Sequence, residues 1–115
     1  MLVKQSFQGI ISALIKTSYT GKLRFCIANT KSEYKGTVFV KYGKIHRVGG
    51  PAVIYQDGCT TWWKHGELHR EDGPAIENYF DDEISKYWLD GEPFSERRYK
   101  LKVRQLKLNK FFDEA

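Results

Sequence analysis

Two histidines in the sequence have the spacing of metal ligands. His65 and His69 lie four positions apart, and on a helix this spacing would place both imidazoles on one face, where they could bind zinc. Gly66 lies between them and favours a turn over a helix, so no metal site is expected. Cys26 and Cys59 form no CxxC pair, and such cysteines predict reduced thiols rather than a disulfide framework or a four-ligand zinc site.

Two His-Arg pairs have the residue types of a catalytic site. The pairs are His46-Arg47 and His69-Arg70. They occupy matched positions of a repeat, which favours a structural role. Arg70 would pair with Asp72 or with an acid on the neighbouring hairpin, and the histidines would hydrogen-bond turn carbonyls. The sequence has no Ser-His-Asp order, GxSxG, HExxH or Gly-rich phosphate loop. We therefore expect neither an enzyme nor a bound cofactor.

A basic segment near the C-terminus has the composition of a nucleic-acid-binding site. Seven positive charges fall within fourteen residues, enough to neutralise several phosphates in a salt-dependent way. A solvated basic face is the usual alternative, and the segment has no base-reading signature. The candidates for nucleic-acid contact are Arg97, Arg98, Lys100, Lys102, Arg104 and Lys107.

Paired aromatic residues are candidates for a protein interface. Neighbours on a strand point to opposite faces, so one member of each pair is expected in the core. The other is expected at the surface, where it could bind a protein or stack on unpaired bases. Together with the first two arginines of the basic segment, the candidate protein-interaction residues are Trp62, Trp63, Tyr87, Trp88, Arg97 and Arg98.

An internal repeat positions these residues. The string over residues 39–53 recurs over residues 62–76 with an offset of 23 at every matched position. A decayed third copy begins at residue 87, and residues 21–24 resemble the start of a fourth. Repeats of this kind are typical of stacked units that cannot bury their apolar faces alone.

Each unit predicts two short strands joined by a tight turn, followed by a return strand. Glycine permits the positive φ that a hairpin turn needs, and Gly-Pro steps at 50–51 and 73–74 end one segment and start another. Return strands are predicted at 53–55 and 76–80. The units form an antiparallel β-meander of stacked hairpin repeats over 21–94. The predicted turns are Tyr42-Gly43, His65-Gly66 and Asp90-Gly91.

Helices are predicted on both sides of this sheet. Residues 4–17 carry apolar side chains at helical spacing. For the basic segment over 95–112, Ser95 is a suitable N-cap and the composition favours a helix, although apolar and basic residues also alternate there as in a strand. The fold class is therefore α+β in a single domain. The face of the second helix would consist of Tyr99, Val103, Leu106 and Lys110.

Charge is segregated along the chain of 115 residues, whose net charge is +5. Residues 1–56 carry nine basic residues and one acidic, residues 57–92 carry three and ten, and residues 93–115 carry seven and three. This pattern is consistent with electrostatic steering towards a charged partner. It is equally consistent with a fold in which the acidic middle segment neutralises the two basic end segments. The apolar run near the N-terminus is too short to span a membrane and has no secretory cleavage pattern, so a cytoplasmic location is expected.

The repeat resembles one found in many small tailed-phage proteins and some giant-virus proteins, which is similar to MORN repeats in being a short β-hairpin unit. The resemblance covers residues 36–95 and rests on the aromatic pair, the turn glycine and the string Leu-His-Arg-Glu-Asp-Gly-Pro-Ala at 68–75. The first copy has Val48-Gly49 in place of the acidic pair. The resemblance implies a phage protein that binds and inhibits or redirects a bacterial host protein, for example as an anti-defence inhibitor. The alternative is a small nucleic-acid-binding protein.

Overall fold

The structure is a computed structural model that describes residues 19–28 and 33–114. The helix predicted at 4–17 lies outside these residues. The described part of the chain is an antiparallel β-structure followed by one helix, as the α+β prediction requires. Its elements are β1 (Gly21–Ala28), β2 (Glu33–Lys41), β3 (Lys44–Ile45), β4 (Val53–Tyr55), β5 (Thr60–Thr61), β6 (Trp63–Lys64), β7 (Glu67–Leu68), β8 (Ile76–Glu77), β9 (Tyr87–Leu89), β10 (Glu92–Phe94) and α1 (Glu96–Glu114).

Most of the strands form one antiparallel sheet in sequence order. A six-stranded sheet runs β1-β2-β4-β5-β8, with β3 paired to β2, and the hairpins β6–β7 and β9–β10 stand as two separate two-stranded sheets. One row of paired residues crosses this sheet from β1 to β8, and such neighbours share a face. This row consists of Arg24, Thr37, Ile54, Thr60 and Glu77. We call the face that carries it the outer face.

The three predicted hairpin turns are confirmed. Each has positive φ at both central residues, for example 51° at His65 and 84° at Gly66, which is the type I′ geometry that fits twisted strands. The turns stack on one another through the backbone. The N–H of Gly66 donates to the carbonyl of Ile45 at 2.8 Å, and that of Gly91 donates to Leu68 at 2.9 Å.

The partial fourth copy at residues 21–24 is wrong in register, because these residues lie inside the long strand β1. The residues that support the turn of the next unit come just before this strand. Gly43 donates its N–H to the carbonyl of Tyr19 at 2.8 Å, and Tyr42 donates its N–H to Oγ1 of Thr20 at 3.0 Å. Tyr19 and Thr20 thus do for the first turn what Ile45-His46 and Leu68-His69 do for the turns that follow them.

The core lies between the inner face of the sheet and the hairpins. Val38, Val53 and Ile76 are buried on the inner face, where they occupy paired positions across the strands. Trp63 and Trp88 extend the same cluster. The return strand predicted at 76–80 is shorter in the structure, because Asn78 has a φ of 60° and ends the extended backbone after residue 77.

The helix predicted for the basic segment is confirmed, and the strand alternative is wrong. Ser95 caps α1: its Oγ accepts the N–H of Arg98 at 3.3 Å, and its carbonyl accepts the N–H of Tyr99 at 2.8 Å. Tyr99 and Val103 are buried against the last hairpin. The helix therefore follows the third hairpin directly and covers the end of the stack.

Candidate protein-interaction surface

The repeated histidines hold one unit to the next. His46 Nδ1 accepts the backbone N–H of His65 at 3.0 Å, and His69 Nδ1 accepts that of Asp90 at 2.9 Å. The structural role is confirmed, but the predicted bond to a turn carbonyl is wrong, since the imidazole is the acceptor. The His65 ring stacks on that of His46 with centres 4.4 Å apart. Among the described residues no group of three or more His, Cys, Asp or Glu could hold a metal ion.

The repeated arginines lie in a cradle formed by an aromatic ring and a Gly-Pro loop. The guanidinium carbon of Arg70 is 3.8 Å from the centre of the Trp62 ring, and its Nη1 donates to the carbonyl of Pro74 at 3.1 Å. A Cβ at Gly73 would lie 3.2 Å from the guanidinium carbon, so the loop can approach because that position has no side chain.

Two carboxylates complete the contacts of this guanidinium. Arg70 Nε donates to Asp72 at 2.8 Å, and Nη1 donates to Glu77 at 2.7 Å. The predicted pairing of Arg70 with Asp72 is therefore confirmed. The Arg70 hydrogen bond holds the pKa of the Asp72 carboxyl below its usual value, so the pair stays ionised near neutral pH. The bond to Glu77 links the loop to β8, a contact that spacing alone did not predict.

The four aromatic candidates pack mostly against other side chains of the protein. Trp63 is 3% exposed and Trp88 is 8% exposed, so one member of each pair lies in the core, as predicted, and the structure assigns which member it is. Their neighbours are only partly exposed. Trp62 lies under the guanidinium described above, with its buried Nε1 unpartnered among the described residues. The Tyr87 ring packs on Tyr99 of α1 with ring centres 4.8 Å apart. A role of these aromatics in partner binding stays a prediction.

All the basic candidates lie exposed along α1. Lys100 pairs with Glu96 at 3.2 Å, one turn away along the helix, and Arg98 lies 5.6 Å from the ring centre of Phe94. The others have no carboxylate within 4 Å among the described residues, and these are Arg97, Lys102, Arg104 and Lys107. Exposed pairs such as that of Lys100 are weak, so the helix presents a largely uncompensated positive charge.

An exposed apolar stripe runs along the same helix, on the side away from the core. Its members are between 44% and 69% exposed, and their spacing of three, four and seven positions places them along one side of a helix. We call these residues the apolar stripe: Leu101, Leu108, Phe111 and Phe112. Sequence reasoning missed the stripe because it looked for one apolar helical face, whereas this helix has two.

Cations border the apolar stripe. A groove of about 530 Å³ on α1 is lined by Leu108 and Phe111 of the stripe, by the core residues Tyr99 and Val103, and by Lys100, Arg104 and Lys107. Every residue from 107 to 112 is exposed, and in this stretch the one ion pair among the described residues joins Lys110 to Glu71 at 3.5 Å. The C-terminal half of the helix therefore offers apolar and basic groups to solvent with little cover from the sheet.

Comparison of the chain with protein families, with curated proteins and with solved structures finds no match. The resemblance to phage repeats therefore stays a prediction. No helix in the described ranges is long and apolar enough to cross a membrane.

Acidification is expected to weaken the junction between the first two units. Burial, followed by the charges of His65, Lys41 and Lys64, lowers the pKa of His46 below its ordinary value of 6.5. The folded state then binds fewer protons than the unfolded state, so stability is lost as the pH falls below about 6.5. His46→Thr removes the titrating group and keeps an acceptor like that of Thr20. Urea unfolding at neutral and mildly acidic pH should show a smaller loss for the variant than for the wild type. Equal losses would contradict this assignment.

Proposed function

We propose that this protein is a non-enzymatic interaction module that binds an acidic surface of another protein through α1. The apolar stripe carries the proposal. Isolated exposed apolar residues are ordinary, but here four of them share one side of a single helix. Amphipathic helices bind grooves on partner proteins with this spacing of anchors.

The charges beside the stripe indicate the character of the partner. Arg104 and Lys107 border the groove beside Leu108 and have no carboxylate within 4 Å among the described residues. A partner groove with carboxylates at its rim would complement them, and such complementarity raises association rates and excludes wrong partners. The preferred partner is therefore a protein with an apolar groove bordered by Asp and Glu.

The stability of the helix favours this role. Most of the stability of a helix in a protein comes from tertiary packing, and α1 is capped by Ser95 and held to the last hairpin by Tyr99 and Val103. The stripe is therefore ordered before a partner arrives, which reduces the entropic cost of binding. If the chain is of the phage type that the repeat resembles, the partner is a bacterial host protein that is inhibited or redirected in the host cytoplasm.

The test is affinity capture from a bacterial lysate, followed by measured binding of the captured protein to purified variants. Leu108→Ala and Phe111→Ala should each weaken binding by about tenfold or more, as truncation of interface anchors does. Gln56→Ala is the matched control, because its side chain is exposed and lies in the turn after β4 rather than on α1. Unchanged binding by both stripe variants would reject the proposal.

The second candidate is a small nucleic-acid-binding protein. The arginines and lysines of α1 that form no ion pair among the described residues favour it. Affinity for DNA or RNA should then fall steeply with salt, and the triple change Arg97→Glu, Arg98→Glu and Lys102→Glu should abolish it. The stripe variants separate the two functions, since Leu108→Ala leaves every charge in place. Recovery of nuclease-sensitive nucleic acid with no stoichiometric protein would favour this second function over the first.

A further inference from the structure

The first repeat contains a second arginine cradle. The guanidinium carbon of Arg47 lies 3.9 Å from the centre of the Phe39 ring, and Nη1 donates to the carbonyl of Pro51 at 3.1 Å. A Cβ at Gly50 would lie 3.0 Å from the guanidinium carbon. Ring, loop carbonyl and close glycine are thus the same three contacts that hold Arg70.

This first cradle lacks the two carboxylates of the second. Gly49 and Ile54 occupy the positions that Asp72 and Glu77 occupy one repeat later. Among the described residues no carboxylate lies within 4 Å of Arg47, and its Nε–H has no acceptor. A guanidinium that is already held in place but has no ion-pair partner can donate to an incoming acid with little further loss of side-chain entropy.

The position beside Arg47 that corresponds to Asp72 is open to solvent. A Cβ built on Gly49 would meet no atom within 4 Å, and the neighbouring Val48 is 85% exposed. In the second repeat the Asp72 side chain is itself 74% exposed while it binds Arg70. A carboxylate can therefore reach the equivalent position beside Arg47 from outside the protein.

Further cations surround this position on the outer face of the sheet. Lys22 is paired in register with Phe39, the ring that Arg47 covers. Arg24 lies in the row that contains Ile54. Both basic side chains are exposed and have no carboxylate within 4 Å among the described residues. Among the described residues, Lys22, Arg24 and Arg47 are therefore cations of this face that no ion pair neutralises.

We propose that the outer face around Arg47 binds an acidic segment of a partner protein, with one Asp or Glu carboxylate accepting from Arg47. The ligand is a carboxylate because the same cradle binds two carboxylates at Arg70. This site lies on the sheet and is separate from the apolar stripe of α1. It would give the proposed interaction module a second site of contact with its partner. Experiments can reject either site without rejecting the other.

The test uses a fluorescently labelled octaglutamate peptide and follows its anisotropy as protein is added. Ile54→Glu supplies the missing carboxylate from within the chain and should weaken peptide binding by about tenfold. Ile54→Gln introduces a side chain of nearly the same shape as glutamate but without its charge. This variant should bind the peptide as the wild type does. Arg47→Gln should lose binding to the same extent as Ile54→Glu.

Two controls separate this site from general attraction to a basic protein. Lys86→Gln removes one positive charge beside Asp82, away from the cradle, and should leave binding unchanged. Arg104→Glu reports how much of the peptide the cations of α1 bind, and Arg47→Gln should weaken binding more than this variant does. The inference is overturned if Ile54→Glu and Ile54→Gln behave alike, if Lys86→Gln equals Arg47→Gln, or if the site binds inorganic phosphate or labelled oligothymidylate in preference to the peptide. Loss of binding by the α1 variant alone would also overturn it, while leaving the proposed function intact.

Discussion

Replacing Tyr99 by alanine is expected to lower the free energy of unfolding by about 3 to 5 kcal/mol, the usual loss when a buried aromatic side chain is removed. Tyr99 is 4% exposed and packs on Tyr87 of the last hairpin. Its hydroxyl lies within hydrogen-bonding distance of the carbonyls of Arg70 and Gly73, and it accepts the Gly73 N–H at 3.2 Å. One side chain thus joins α1 to the second repeat.

Tyr99→Phe isolates the hydroxyl and should cost about 1 to 3 kcal/mol, because the Gly73 loop loses partners that are shielded from solvent. Urea unfolding gives both values, and far-UV circular dichroism shows whether the helix survives. Leu101→Ala is the control on the exposed side of α1, with an expected change within about 0.5 kcal/mol. If Tyr99→Phe were as harmless as Leu101→Ala, the hydroxyl would have no part in holding the helix to the repeat.

The sequence predicted the local geometry of the repeat well because single residues determine it. A glycine at the second position of each turn permits positive φ, and Ser95 supplies the cap that starts α1. The Gly-Pro step at 73–74 was also correctly placed. Its further role, a close approach to the guanidinium of Arg70, depends on how the loop folds back and cannot be derived from residue type.

Contacts between units were harder to predict because they join residues far apart in the chain. His69 bonds to the N–H of Asp90, 21 positions away, and no local pattern says which atom of the ring is used. Arg70 reaches Glu77 because the loop and β8 lie side by side, which follows from the sheet rather than from spacing. The absence of the acidic pair at Val48-Gly49 was visible in the sequence. Its consequence for Arg47 depends on how the Gly-Pro loop folds back over the guanidinium, which residue type alone does not determine.

The distribution of charge left two possibilities open, and the structure favours incomplete neutralisation. Asp72 and Glu77 of the acidic middle bind Arg70, which belongs to the same segment. Among the described residues one ion pair connects the middle to the basic helix, between Glu71 and Lys110. The acids of the middle are therefore used largely within the repeat. Cations on α1 and on the outer face remain available, which is what steering towards an acidic partner requires.

Trp63→Ala is expected to lower the free energy of unfolding by about 3 to 5 kcal/mol, and more than Trp62→Ala. Trp63 lies in the main core, and its Nε1 donates to Oγ1 of Thr61 at 2.7 Å. Thr61 is fully buried, so the truncation removes a large apolar surface and leaves a hydroxyl without this donor. Thermal and urea unfolding of both variants measure the difference.

Two phenylalanine substitutions test which tryptophan belongs to the core, and they leave smaller cavities than the alanine substitutions do. Trp63→Phe loses the bond to Thr61 and should be destabilising, whereas Trp62→Phe removes an indole N–H that is buried without a partner among the described residues. Removal of an unpaired buried donor costs little, and the phenyl ring resembles that of Phe39 beneath Arg47 in the first repeat. Trp62→Phe should therefore be close to neutral in stability. If it kept the fold but lost partner binding, the half-buried aromatic of the pair would belong to the interaction surface, as the sequence first indicated.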